Sequence, residues 1–268
     1  MRPLTLQTTA KLFATGFTVG PVVDSLHNQC LLKYDLLPIS LEWPSKAMAE
    51  AIGGEYPYFF CSSLTVPPLL GVAYVVLGGV LPRLFDAILS KVETDSIKIS
   101  INETRSSSKL NLQRRAIIAV ATTALIIKLS EFLECNPTIT DSLFSTPTID
   151  RSMAHFMVMI VAALSQWAVL DGSLSALLAA SVTSIGGPLS ELPFVANGFW
   201  EYLDAASDYF PLADFPEGKI FLQWILGYNY QNLALSSITG PCYFAVTMDA
   251  IALGRWFDDS STKSLDKE

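Results

Sequence analysis

The 268-residue chain is 51% hydrophobic and only 16% charged, with a mean hydropathy of +0.41 and a formal net charge of −8 at pH 7. This balance leaves no room for a large soluble domain, argues against a phosphate-binding nucleic-acid surface, and puts the chain among membrane proteins. Four cysteines, Cys30, Cys61, Cys135 and Cys242, form no CxxC pair. A zinc site or thioredoxin-type motif therefore has no support, and one lumenal disulfide is the most they suggest.

The first apolar stretch, residues 9–26, is interrupted by Lys11 and by Gly20-Pro21. It reads as a first span, with a signal or transit segment as the alternative. The second, residues 59–82, combines spanning length with helix breakers at defined places. Pro67 and Pro68 follow Val66 where a helix begins and their missing amide protons cost little, whereas Pro82 is expected to end or bend the helix before Arg83. Gly71 and Gly78, seven apart, allow a neighbouring backbone to approach closely. Residues 91–111 are rich in Ser, Lys and Thr and read as a solvated linker containing the sequon Asn102-Glu103-Thr104.

Three further stretches, 115–133, 153–170 and 173–195, read as spans three to five. Asp171 divides the last two at a very short turn, where capping of the next helix competes with partner binding as its role. The fifth is crowded with small residues, which favours tight helix packing, and Gly186-Gly187-Pro188 is expected to break it. From Asn197 to Lys219 aromatic residues alternate with acids, as in a loop lying among lipid headgroups. The sixth span is residues 232–254, where Asp249 is expected to pair with Arg255.

Charge placement supports a six-transmembrane-helix, all-α bundle forming one domain. With both termini cytoplasmic, Arg2, Lys11, Lys91, Lys98, Arg105, Lys109, Arg114, Arg115, Arg255, Lys263 and Lys267 fall on the cytoplasmic side. In that topology Asn102 stays unglycosylated. No catalytic set is evident: His27 and His155 are far apart in sequence, and no HExxH motif or phosphate loop occurs. Neither catalytic nor metal-binding residues are assigned. His155 reads as an interfacial histidine, and Glu131 and Glu191 near helix ends read as snorkelling acids.

Taken together, Val66-Pro67-Pro68 with Gly71, Gly78 and Pro82, the Asp171 turn, Asn197-Gly198 with Tyr202, and Gly254-Arg255 resemble the Insig family of the endoplasmic reticulum. The family's Phe-Asp-Arg-Ser-Arg-Ser-Gly turn is Leu170-Asp171-Gly172-Ser173-Leu174-Ser175 here, so both arginines are absent. The resemblance covers roughly residues 60–256. It implies a non-enzymatic adaptor without a cofactor that binds a sterol, oxysterol or diacylglycerol-like lipid and regulates lipid homeostasis. Its implied partners are polytopic proteins with sterol-sensing domains, namely Scap, which escorts sterol regulatory element-binding proteins, and HMG-CoA reductase; nucleic acid is not expected and self-association is allowed. Asp171 matches the acid needed for Scap association. The family's lipid-facing positions fall at Val120, Ala154 and Val158, with His155 able to supply a hydrogen bond one position away. A small-molecule or lipid transporter is the rival reading, suggested by the broken fifth span and intramembrane acids.

Overall fold

The computed structural model describes residues 3–28, 31–48, 58–95, 109–136, 151–203, 206, 208 and 235–265. The sequon at Asn102, most of the 91–111 linker, the insert between Cys135 and Asp150, and most of the aromatic connection after Leu203 lie outside these residues.

The amino-terminal stretch forms two helices, α1 (Leu6–Thr18) and α2 (Gly20–Ser25), divided at Val19 ahead of Gly20-Pro21. Thr5 caps α1 by accepting from the Thr8 amide. Then follow β1 (Leu32–Tyr34), β2 (Pro38–Glu42), a single turn α3 (Lys46–Met48) and β3 (Tyr58–Ser63). The second apolar stretch is thus a strand before it is a helix. Tyr58 to Ser63 pairs antiparallel with β2, and the helix starts only at Val66, with Pro67 and Pro68 in its first turn.

The helix continues through α4 (Val66–Val75), a π-helical segment (Val76–Val80) and α5 (Leu81–Asp95). Pro82 does not end it. The proline withdraws the amide that would serve the Gly78 carbonyl, and the wider π turn just before it absorbs the lost register. A Cβ on Gly78 would collide with the Ala250 carbonyl, and one on Gly254 with the Gly78 carbonyl, so the two backbones touch where neither residue carries a side chain. Gly71 makes room instead for the Phe13 ring of α1.

Three more long helices complete the core: α6 (Lys109–Cys135), α7 (Arg151–Leu170) and α8 (Leu174–Ala196). The helix α9 (Thr239–Leu265) runs through the middle, packing on α1, on the α4–α5 helix and on α6, α7 and α8. Fully buried Ala176, Ala179 and Ala180 on α8 meet Phe244, Met248 and Ile251 of α9, the packing that the small residues predict. Polar side chains also bond between helices: Thr183 of α8 with Thr247 of α9 at 2.6 Å, and the Gln166 amide of α7 donating to Thr123 Oγ1 of α6 at 2.8 Å.

Pro188 and Pro193 both lie inside α8, which runs unbroken to Ala196, contrary to the expected break at Gly186-Gly187-Pro188. The Ser184 carbonyl, deprived of its donor by Pro188, abuts Gly240 at the start of α9, and Gly187 leaves space for the Tyr243 ring. Asn197-Gly198 then stops the helix: Gly198 has φ +69°, its amide donates to Val195 O at 3.1 Å, and Phe199 N donates to Phe194 O at 3.0 Å. This left-handed glycine turn sends the chain into β4 (Trp200–Tyr202), paired antiparallel with β1 in the register Leu32 to Tyr202 and Tyr34 to Trp200. Part of the expected headgroup loop is therefore a strand, covering one end of the bundle.

Among the described residues, three helices are long and apolar enough to cross a membrane: Val66–Lys91, Leu112–Cys135 and Arg151–Leu170. Cys135 is disulfide-bonded, whereas Cys61 and Cys242 are free thiols.

Candidate functional site

Two polar constellations stand near opposite ends of α8. The first is the α7–α8 turn. Gly172, at φ +69°, donates its amide to Trp167 O at 2.9 Å, letting the chain reverse within three residues. Asp171 then accepts from the Ser173 amide at 3.0 Å and from the Ser173 hydroxyl, while Ser173 caps α8. The second carboxylate oxygen of Asp171 receives Arg255 from α9, which also donates to Ser173 Oγ at 3.2 Å. The expected Asp249–Arg255 pair is not formed. Asp249 lies a turn and a half earlier on α9, so it faces α4 and accepts from the Tyr74 hydroxyl at 3.3 Å. The Asp171 side chain is 6% exposed and that of Arg255 38%, so a protein docking on this turn meets the guanidinium first.

The second constellation is a pocket enclosing about 600 Å³ including its mouth, between α2, α4, α6, α8 and α9 and under β1 and β4. It lies some 25 Å along α8 from the Asp171 turn, on the 1.5 Å rise per residue. Val23, Leu32, Leu70, Ile127 and Val246 make its walls mostly apolar. Its polar pole is Asp24, His27, Asn28 and Glu191. Glu191 is buried and accepts three hydrogen bonds, from Tyr202 Oη (2.7 Å), Tyr243 Oη (2.8 Å) and Trp200 Nε1 (3.3 Å). It is therefore not a snorkelling acid, because β4 and α9 bring three donors over it. Asp24 Oδ2 accepts from Tyr34 Oη (2.6 Å) and Asn28 Nδ2 (2.7 Å). Burial, reinforced by the charges of Asp24 and Glu191, pushes the Tyr34 phenol well above its ordinary pKa. Burial pushes His27, beyond the end of α2, down to about 4, which keeps the imidazole neutral.

The residues singled out from sequence divide between structural and polar roles. Val66 is buried beside Tyr34, Trp200 and Tyr202, and Tyr202 itself lies on Glu191. Gly78 and Gly254 meet, as do Asp171 and Arg255. Ala154 and His155 are buried on α7, with His155 Nδ1 2.9 Å from Glu134 Oε1. Val120 packs beside Leu12 and Tyr74, and Val158 beside Met159 and Ile127. Neither these two nor Ala154 and His155 line the pocket. The polar pole escaped sequence reading because Glu191 stands more than 160 residues from Asp24, His27 and Asn28; only the unusual acids Asp24 and Glu191 within apolar stretches signalled it.

The sequence matches no protein-family model and no curated protein. Solved structures do match. A mycobacterial Insig homolog, MvINS from Mycobacterium vanbaalenii, superposes with a TM-score of 0.53 at 16% identity, covering 95% of each chain. The fold is Insig-like. A cross-linked trimer of an MvINS cysteine variant agrees, with a TM-score of 0.55 at 16% identity over 96% of this chain and 97% of that one. The likeness spans nearly the whole chain at low identity, and what it shows is the Insig-like course of the backbone.

Proposed function

We propose that this Insig-like protein is a non-enzymatic adaptor of the endoplasmic reticulum membrane, in which a bound lipid changes affinity for a polytopic partner. The observation that carries the reading is the largely apolar pocket with a buried acceptor pole, set inside an Insig-like bundle and well separated from the Asp171–Arg255 turn. Six spans as one domain, with both termini cytoplasmic, place the turn on the cytoplasmic side and the pocket near the lumenal side. The Lys and Arg distribution supports this orientation, as does the disulfide at Cys135, since such bonds persist in oxidising compartments. The ligand class is a sterol or other lipid, and the partner class is a membrane protein with a sterol-sensing domain. Self-association fits the trimeric form of MvINS.

Lipid acts on the partner only by favouring one conformation or surface over another. α8 is the physical link, because Glu191 and the Asp171 turn lie near its two ends. Native mass spectrometry of the purified chain should find a co-purified neutral or cationic lipid, which Val23→Trp should displace. Asp171→Asn and Arg255→Gln should each reduce co-purification of the membrane partner at least fivefold without changing expression. Unchanged co-purification in both would remove the turn from the partner surface, and substrate flux into proteoliposomes would replace the adaptor with a transporter.

A further inference from the structure

Five hydrogen-bond donors around the polar pole of the pocket are committed to its two carboxyl groups. Tyr202, Tyr243 and Trp200 donate to Glu191, and Tyr34 and Asn28 donate to Asp24. The Asn28 amide orientation follows from this, since a carboxylate can only accept from the NH₂ group. Its carbonyl oxygen, Oδ1, is buried without a partner. His27 leads to the same result. Ser130 gives its single hydroxyl proton to the Ile127 carbonyl at 2.6 Å, so at the 2.6 Å contact with His27 the proton belongs to Nδ1. Neutral His27 therefore carries a lone pair on Nε2, which is also buried without a partner. His27 and Asn28 are 7% and 1% exposed, and both line the pocket.

Two carboxylates and two unpartnered acceptors thus share one small volume, and no Lys or Arg is among the described residues that line it. Buried acceptors without donors are costly, and buried carboxylates without a cation more so. A fatty acid or phosphate head would bring a further acidic group to a site that already holds two. A neutral alcohol brings one donor. A primary ammonium brings three donors and the missing charge. A bare hard metal ion, which prefers six or more oxygen ligands, would leave the apolar walls unused.

We infer that the pocket holds an amphiphile with a primary-ammonium head, a long-chain amine or amino alcohol, its head on Asp24 and Glu191 and its tail against Val23, Leu70 and Ile127. This rests on the pocket being the lipid site proposed above. His27 Nε2 and Asn28 Oδ1 accept the remaining ammonium protons or a hydroxyl beside the amine.

The test compares three ligands with one tail, dodecylammonium, dodecanol and dodecanoate, bound to the full chain in phosphatidylcholine nanodiscs at pH 7 and read by native mass spectrometry. Dodecylammonium should bind at least tenfold more tightly than dodecanol, and dodecanoate should bind most weakly. The isosteric changes Asp24→Asn and Glu191→Gln should cut the amine-over-alcohol preference to less than threefold while dodecanol binding persists. Equal or tighter binding of dodecanol or dodecanoate to the unsubstituted chain overturns the ammonium assignment and leaves the lipid pocket standing. Binding of all three ligands that is unaffected by Val23→Trp overturns the pocket as the lipid site. The comparison of heads on the unsubstituted chain needs no variant to fold.

Discussion

At the residue scale, Asp171 is built into the fold of its own turn. It holds the Ser173 amide and hydroxyl at the head of α8 and draws Arg255 of α9 onto the same turn. Asp171→Ala removes all three attachments, a loss of about 2 kcal/mol for a cap and a half-exposed ion pair. Asp171→Asn keeps an oxygen for the Ser173 amide and should lose about half as much. Thermal unfolding in detergent measures both, and equal melting temperatures for the two variants would show that the amide contact contributes nothing. The asparagine variant is accordingly the better probe of partner binding. The turn itself carries no cation, and the one that meets Asp171 comes from another helix as Arg255.

At the element scale, the α4–α5 helix and α9 are locked where Gly78 and Gly254 let two backbones touch. Gly78→Ala or Gly254→Ala puts a methyl group into a carbonyl that cannot move aside, and each should destabilise the protein by about 3 kcal/mol, at the upper end for overpacking. Gly186 on α8 has nothing within 4 Å of where its Cβ would lie. Gly186→Ala should therefore be neutral or stabilise by up to about 1 kcal/mol through helix propensity. Melting temperatures of the three variants make the comparison, and equal losses at Gly78 and Gly186 would discard the backbone contact as the cause. Two of the long helices show why proline alone is a poor sign of a helix end. Pro82 is absorbed by a π turn in its own helix, and Pro188 by the space beside Gly240 of α9.

At the scale of the whole molecule, the proposed orientation puts the β1–β4 and β2–β3 ribbons and Cys61 on the lumenal side. Membrane-impermeant maleimide added to sealed, cytoplasm-out microsomes should label Cys61 only after permeabilisation. Labelling of intact vesicles would invert the topology. Cys242, 4% exposed in the core, should stay unlabelled until the protein unfolds, and Cys135 until it is also reduced. The bundle is sealed at the ribbon end by aromatic residues, with the Phe194 and Trp200 rings stacked at 5.2 Å, while the opposite end closes with the Asp171 turn. α8 reaches from one to the other, so the two polar constellations share one continuous helix.

The sequence by itself marked the apolar runs that form the long helices, because run length and local turn chemistry are short-range signals. Asn197-Gly198 is a legible helix stop, and Ala176, Ala179 and Ala180 announce a packing face through their spacing alone. Only the tertiary structure decided what the acids do. Glu191 gains three donors from β4 and α9, Asp24 takes Tyr34 from β1, and Asp171 takes Arg255 across 84 residues. In a medium that offers a buried charge no water, its role is set by which donors the fold brings within about 3 Å, and sequence separation carries no record of that choice.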